Sequence, residues 1–248
     1  MHAARRPNSS YICAIKQSII MKRILISIIG IILIGSVSGQ VNESTIRKFN
    51  IGVGVSTDIW QGLPQGVDAR TINQGSQVFG MYNHRLGESV AYLAAGLGIG
   101  VHNLYSNSVI GDAKADSIVF IPIPGNINYK KSKITLAYLD IPVEFRIKTD
   151  KHFRLALGFK AGYLINSHTK YKGDLYTYDN QGNAIAGNNT LVKERDISQV
   201  EDWRYGPTLR IGYKWINLTA YYQLSKVFQA DKGPQIYPVS IGLSVIPY

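Results

Sequence analysis

Past position 39 the sequence has no cysteine; the one cysteine among its 248 residues is Cys13. Without cysteine pairs there is no disulfide scaffold, and no Cys/His spacing supports structural zinc. Long apolar runs are equally scarce. After the uncharged run at 24–34, no unbroken apolar stretch reaches the roughly 18 residues of a membrane helix, so helical spans are excluded beyond it. Barrel strands survive that test, because their alternation averages to neutral hydropathy, and the mean hydropathy is −0.03. Acids are few, 16 against 27 lysines and arginines, for a net charge of +11. Arg5, Arg6, Lys16, Lys22 and Arg23 precede position 40 and no acid does, so the remainder carries +6. An excess that small, spread over strands and loops, gives no basis for nucleic acid as a partner.

The N-terminal segment reads as an export signal. Met21-Lys22-Arg23 leads into the apolar run, and Gly35-Ser36-Val37-Ser38-Gly39-Gln40 supplies the small residues a signal peptidase needs. The expected organisation is an upstream gene-start artefact at 1–20, with translation from Met21, and a signal peptide at 21–39 cleaved after Gly39. A polar lead at 40–48 and a single domain at 49–248 follow. With no cysteine at the junction, the exported chain carries no lipid anchor there.

What is abundant is alternation. At 134–168 the chain reads ITLAYLDIPVEFRIK, a four-residue break, then FRLALGFKAGYLINSH. Leu139, Ile141, Val143, Phe145 and Ile147 share one face, with Asp140, Glu144, Arg146 and Lys148 on the other. Phe153, Leu155, Leu157, Phe159, Ala161, Tyr163 and Ile165 likewise oppose Arg154, Gly158, Lys160, Gly162 and Asn166. A period of two is a β-strand, and the break makes a hairpin. A soluble sandwich buries its apolar face and wets the other. A transmembrane barrel turns the apolar face to lipid and closes the charges into a lumen.

The remaining strands repeat the pattern. They are expected at 49–56, at 77–85 (weakly), at 89–103, at 204–214, around 218–225, and from Val239 to the last residue. Gly96, Gly98 and Gly100 share one face of the third strand, as a crowded lumen requires. Connections at 86–88, 149–152 and 215–216 are short. Those at 58–75, 106–133 and 173–201 are long, and the one at 228–234 is intermediate. Pro122, Pro124 and Gly125 break a short apolar piece at 118–123. Short turns at one rim and long loops at the other describe an all-β, eight-stranded antiparallel up-and-down transmembrane β-barrel, whereas Greek-key links have no reason to segregate loop lengths. Phe49, Phe153, Trp215 and Tyr248 fall on the short-turn rim as an aromatic girdle. Pro142, mid-strand, cannot donate to the ladder, so a bulge is expected there.

The segment YLDIPVEFRIK followed by LALGFKAGYLINSHTKYK, together with the Gly39-Gln40 junction, resembles the PorT-like outer-membrane β-barrel proteins of the Bacteroidetes. That resemblance covers the signal and the third to eighth strands. It implies a bacterial outer-membrane location and the barrel fold. Members of that group are implicated in type IX secretion and gliding.

Asp140, Glu144, Arg146, Arg154, Lys160, Arg204, Arg210 and Lys214 have inward parity. Eight strands leave an interior just filled by side chains, so these charges read as a paired plug; a selectivity lining is the competing role. Lys130, Lys131, Lys133, Lys170 and Lys172 gather beside the outer loops, either as solvated charge or as contacts to lipopolysaccharide phosphates. His84 and His152 fall at the short-turn rim. His102 and His168 approach the outer rim with inward parity near Ser106 and Ser167, but no motif supplies the nucleophile–base–orienter set of a hydrolase. No cofactor, metal or catalytic residue is expected. The expected function is a non-enzymatic structural or interaction barrel in contact with outer-membrane lipid and an envelope complex. A narrow porin for small solutes is the second reading, and a lipid-modifying enzyme the third.

Overall fold

The computed structural model describes residues 48–149 and 151–246. The expectations for 1–20, for the signal peptide at 21–39, for all of the lead but Lys48, and for Tyr248 in the rim lie outside them. The strands are β1 (Phe49–Gln61), β2 (Gln74–Arg85), β3 (Ala91–Tyr105), β4 (Ser108–Ile110), β5 (Phe120–Pro122) and β6 (Tyr129–Lys148). They continue as β7 (Phe153–Tyr178), β8 (Ala184–Arg195), β9 (Trp203–Tyr213), β10 (Ile216–Tyr222) and β11 (Tyr237–Val245). Eight of them close a ring in the order β1-β2-β3-β6-β7-β9-β10-β11, with β11 returning to β1; every pairing is antiparallel. This is the expected eight-stranded up-and-down barrel.

Alternation drives the closure. Ile51, Val53 and Val55 of β1, Leu97 and Ile99 of β3, and Leu139, Ile141 and Val143 of β6 are all exposed, while their strand neighbours are buried or half-buried. Leu97 keeps 59% of its surface open. A belt of such residues is uneconomic in water and favourable against hydrocarbon. Phe49, Phe153 and Trp215 stand exposed at the short-turn rim, as the girdle expectation has it.

Those turns are tight and left-handed at one residue each: Gly87, His152 and Lys214 have φ of 63°, 63° and 51°. Lys214 is exposed in the β9–β10 turn rather than facing the lumen, because β9 ends one residue before it.

The long loops hold more order than their composition suggests. β4 and β5 form a small hairpin inside the second one. The third contains β8 and the end of β7, which rises past the barrel and pairs with β8 from His168 to Tyr178. β1 runs on to Gln61, so Asp58 lies within a strand and not in a loop. Side chains from the wall (Trp60, Leu104, Ile134, Leu136) and from all four loops (Val67, Ile118, Val200, Phe228) pack into one apolar cluster at the outer mouth. Phe120 meets Phe228 edge-on at 6.0 Å, and the Ile118 amide donates to the Lys232 carbonyl at 2.8 Å.

Pro142 pairs in register with Lys160, so the bulge expected there is absent. Its missing N–H instead leaves a gap in the ladder to β3, between the Ala95–Val143 and Gly98–Asp140 pairs. The bulge falls at Ile165 of β7, the extra residue between the pairs Ala137–Asn166 and Tyr138–Leu164. A one-residue slip turns every later side chain to the opposite face. Asn166 and His168 consequently face outward, against the inward parity read from an unbroken strand.

Candidate functional site

Inward-facing rows, read across β6, β7 and β9, assemble the lumen. Asp140, Gly162 and Arg204 are direct neighbours in one row. Glycine between the two charges lets them meet above it: a Cβ on Gly162 would lie 2.3 Å from Asp140 Oδ1 and 3.0 Å from Arg204 Nε. Arg204 donates from Nε (3.1 Å) and Nη2 (2.8 Å) to Asp140 Oδ1, and from Nη2 to Oδ2 at 2.7 Å. Lys160 Nζ stands 3.7 Å from the same carboxylate and 3.8 Å from the centre of the Tyr221 ring. The Arg204 guanidinium lies over Tyr138, 4.0 Å from its centroid.

Two rows further in, Glu144, Gly158 and Thr208 are direct neighbours, again with glycine beside the acid but with an uncharged residue in place of the arginine. Glu144 accepts from Arg146 Nε at 2.8 Å, and Arg210 Nη2 lies 3.2 Å from its other oxygen. Arg146 reaches on to Asn83, which donates to Asn50. Arg154 donates to the Lys214 carbonyl at the inner rim. Six of the expected set, Asp140, Glu144, Arg146, Lys160, Arg204 and Arg210, are thus brought together as paired charges.

A third layer, nearer the outer mouth, was not assigned from the sequence. His102 Nδ1 is 2.8 Å from Asp58 Oδ2, and Ser240 Oγ donates to Asp58 Oδ1 at 2.6 Å. Asp58 and Ser240 are cross-strand partners in β1 and β11. The inward parity of His102 was a usable signal. Asp58 had none while its segment read as loop.

The chemistry available here is limited. Ser240 bonds the acid and not the imidazole, so the set has the wrong order for a nucleophile–base relay. Ser106 bonds Ser108, and Ser167 accepts the Ile197 amide at 2.9 Å. His168 Nδ1 lies 3.1 Å from Asn166 Oδ1, on the outer surface. Among the described residues no group of histidine, cysteine and acid side chains has the arrangement to hold a metal ion. The space left between the layers is a cavity of about 50 Å³ lined by His102, Lys160, Arg210 and Tyr221, room for a few water molecules.

On the outside of the wall, the expected lysines fall into register. Lys133, Lys170 and Lys193 are direct cross-strand neighbours on β6, β7 and β8, and Lys131 pairs with Lys172. Lys193 was not among the residues singled out from the sequence. Lys130 is the extra residue of a bulge, exposed, with its carbonyl accepting from Arg70 at 3.2 Å.

Comparison with solved structures gives only distant likenesses. Ail, the attachment invasion locus protein of Yersinia pestis, crystallised in complex with sucrose octasulfate, is 10% identical over 80% of this chain and 97% of its own, with a TM-score of 0.36. A mutant of the Rh. blastica porin is 10% identical over 80% of this chain and 99% of its own, with a TM-score of 0.21. No curated protein sequence matches. Residues 39–229, most of the chain, match the family described as the outer membrane protein beta-barrel domain. With its closed ring and apolar outer belt, the protein belongs to that family and is an outer-membrane β-barrel protein.

Proposed function

We propose that the protein is a non-enzymatic scaffold of the outer membrane, a sealed barrel that presents ordered loops to an envelope complex. The observation that carries this reading is the filling of the lumen from mouth to rim. The apolar loop cluster lies above the Asp58–His102 layer. The Asp140–Arg204–Lys160 and Glu144–Arg146–Arg210 layers follow below it. A narrow porin, the second reading, needs a continuous polar path that these side chains occupy.

Binding on a rigid scaffold is usually carried by its loops, and these loops expose apolar side chains beyond the belt, among them Ile72, Val119 and Ile121. Val119 keeps 59% of its surface open on the segment joining β4 to β5. The resemblance of the β6–β7 hairpin to PorT-like proteins makes the type IX secretion machinery the first complex to test.

Photo-crosslinking residues placed at positions 72, 119 and 121 in native outer membranes should capture one recurring envelope protein. A control at exposed Lys151, in the opposite rim, should not. The reading is overturned if no site yields a discrete partner and the purified barrel gives steady ohmic channels in planar bilayers.

A further inference from the structure

We infer that the outward face of β6, β7 and β8, just beyond the apolar belt, is a binding site for the phosphates of an anionic outer-leaflet lipid. Three neighbouring rows build it. The central row runs Tyr105, Lys133, Lys170, Lys193 across four strands. The row nearer the belt is Asn103, Thr135, His168, Arg195, and the row beyond is Lys131, Lys172, Leu191. No acid stands in any of the three. Glu194, the nearest acid on β8, alternates to the other face of the sheet, and no ion pair among the described residues includes Lys133, Lys170 or Lys193.

Like charges directly opposite one another in a sheet are destabilising, and their Cβ atoms stand only about 5 Å apart. Here the arrangement occurs twice in succession, Lys133 to Lys170 and Lys170 to Lys193. An anion held between them turns repulsion into attraction. The neutral neighbours orient the row: Lys133 donates to Asn103 Oδ1 at 2.7 Å, and its Nζ is 5.3 Å from the Tyr105 ring centre, with Arg70 5.2 Å from that ring.

Position identifies the ligand as a lipid rather than free phosphate. On the same outward face, the belt resumes a few residues toward the membrane with Ile99, Leu139 and Tyr163, all exposed. A molecule whose acyl chains lie along those side chains brings its headgroup phosphates level with the lysines. Polybasic clusters at this depth attract anionic headgroups. The site is independent of whether the lumen conducts or the loops bind a partner.

The test uses the full chain in detergent micelles. Three probes are compared: bisphosphorylated lipid A, the same lipid A without phosphates, and inorganic phosphate alone. The wild-type protein should bind bisphosphorylated lipid A in a salt-dependent manner and the other two far more weakly. Replacing Lys133→Gln, Lys170→Gln and Lys193→Gln together should weaken that binding about a hundredfold, while Lys151→Gln should leave it unchanged. Without lipid, the triple variant should unfold at or above the wild-type temperature, because it loses repulsion and no ion pair. Equal binding of the dephosphorylated lipid or of inorganic phosphate overturns the assignment. So does unchanged binding by the triple variant, or a fall in its lipid-free unfolding temperature.

Discussion

Asp140 is the residue on which the lumen depends most. It neutralises Arg204 through two guanidinium nitrogens and stands beside Lys160, and all three side chains are buried. Removing one partner of a buried ion pair leaves a charge with neither water nor counter-ion, at a cost of about 3–5 kcal/mol. Asp140→Asn should therefore destabilise the folded barrel by about that amount in urea unfolding from lipid vesicles. Adding Arg204→Gln should recover a large part of the loss, since the pair itself is close to neutral against uncharged replacements. A double variant no more stable than Asp140→Asn would assign the effect to packing alone. Both charges were legible in the sequence from parity. Their meeting over Gly162 was not, because a row across three strands is a matter of register. Asp58 escaped for a different reason: Asp58, Gly62, Pro64 and Gly66 read together as loop, and only the pairing of Asp58 with Ser240 makes it wall.

At the level of elements, the strands that cross the membrane were legible and their extensions were not. Within the belt each strand has one face against hydrocarbon and one in the lumen, which writes a strict period of two into the sequence. Beyond the belt both faces of a strand meet water or loop. β8, with Asn188, Asn189 and Thr190 at its centre, therefore carries no such signature, and the bulge at Ile165 scrambles parity where β7 leaves the membrane. The β7–β8 turn shows how the extension is held. Asp179 Oδ1 accepts the amides of Asn183 (2.8 Å) and Gln181 (2.9 Å), and the Asn183 side chain donates to Oδ2 at 3.2 Å. Those bonds, from Asn183 first, hold the Asp179 carboxyl below the ordinary carboxylate range. A depressed folded value contributes stability that is complete above the unfolded value, about 4, and disappears as pH falls through the folded one. The protection of the Asn183 amide, taken relative to its unstructured exchange rate at each pH, should therefore be constant at neutral pH and be lost only below about pH 4. In Asp179→Asn the same amide should show no acid transition in that range.

For the molecule as a whole, the decisive property is that its seals lie in series. The outer mouth is closed by apolar packing around Phe228, which is only 1% exposed, and the lumen beneath by separate layers of paired charge. Flow through stacked constrictions is set by the tightest one, so opening a single layer leaves the path closed by the others. Phe228→Ala removes a buried ring from the cap, a change that costs about 3–5 kcal/mol in a packed core. That loss should appear as faster proteolysis of the loops at 106–128 and 196–202, with the ring of strands intact. The same variant should remain silent in planar bilayers, because the Asp140 and Glu144 layers still fill the bore. Asp140→Ala with Arg204→Ala should be silent as well, held shut by the cap above and by Glu144, Arg146 and Arg210 below. Steady ohmic channels should arise only when the cap and all three layers beneath it, at Asp58, Asp140 and Glu144, are emptied together. Open channels from either partial variant would mean that one layer alone holds the barrel shut, and the rest of the lumen would then be a passage waiting for its gate.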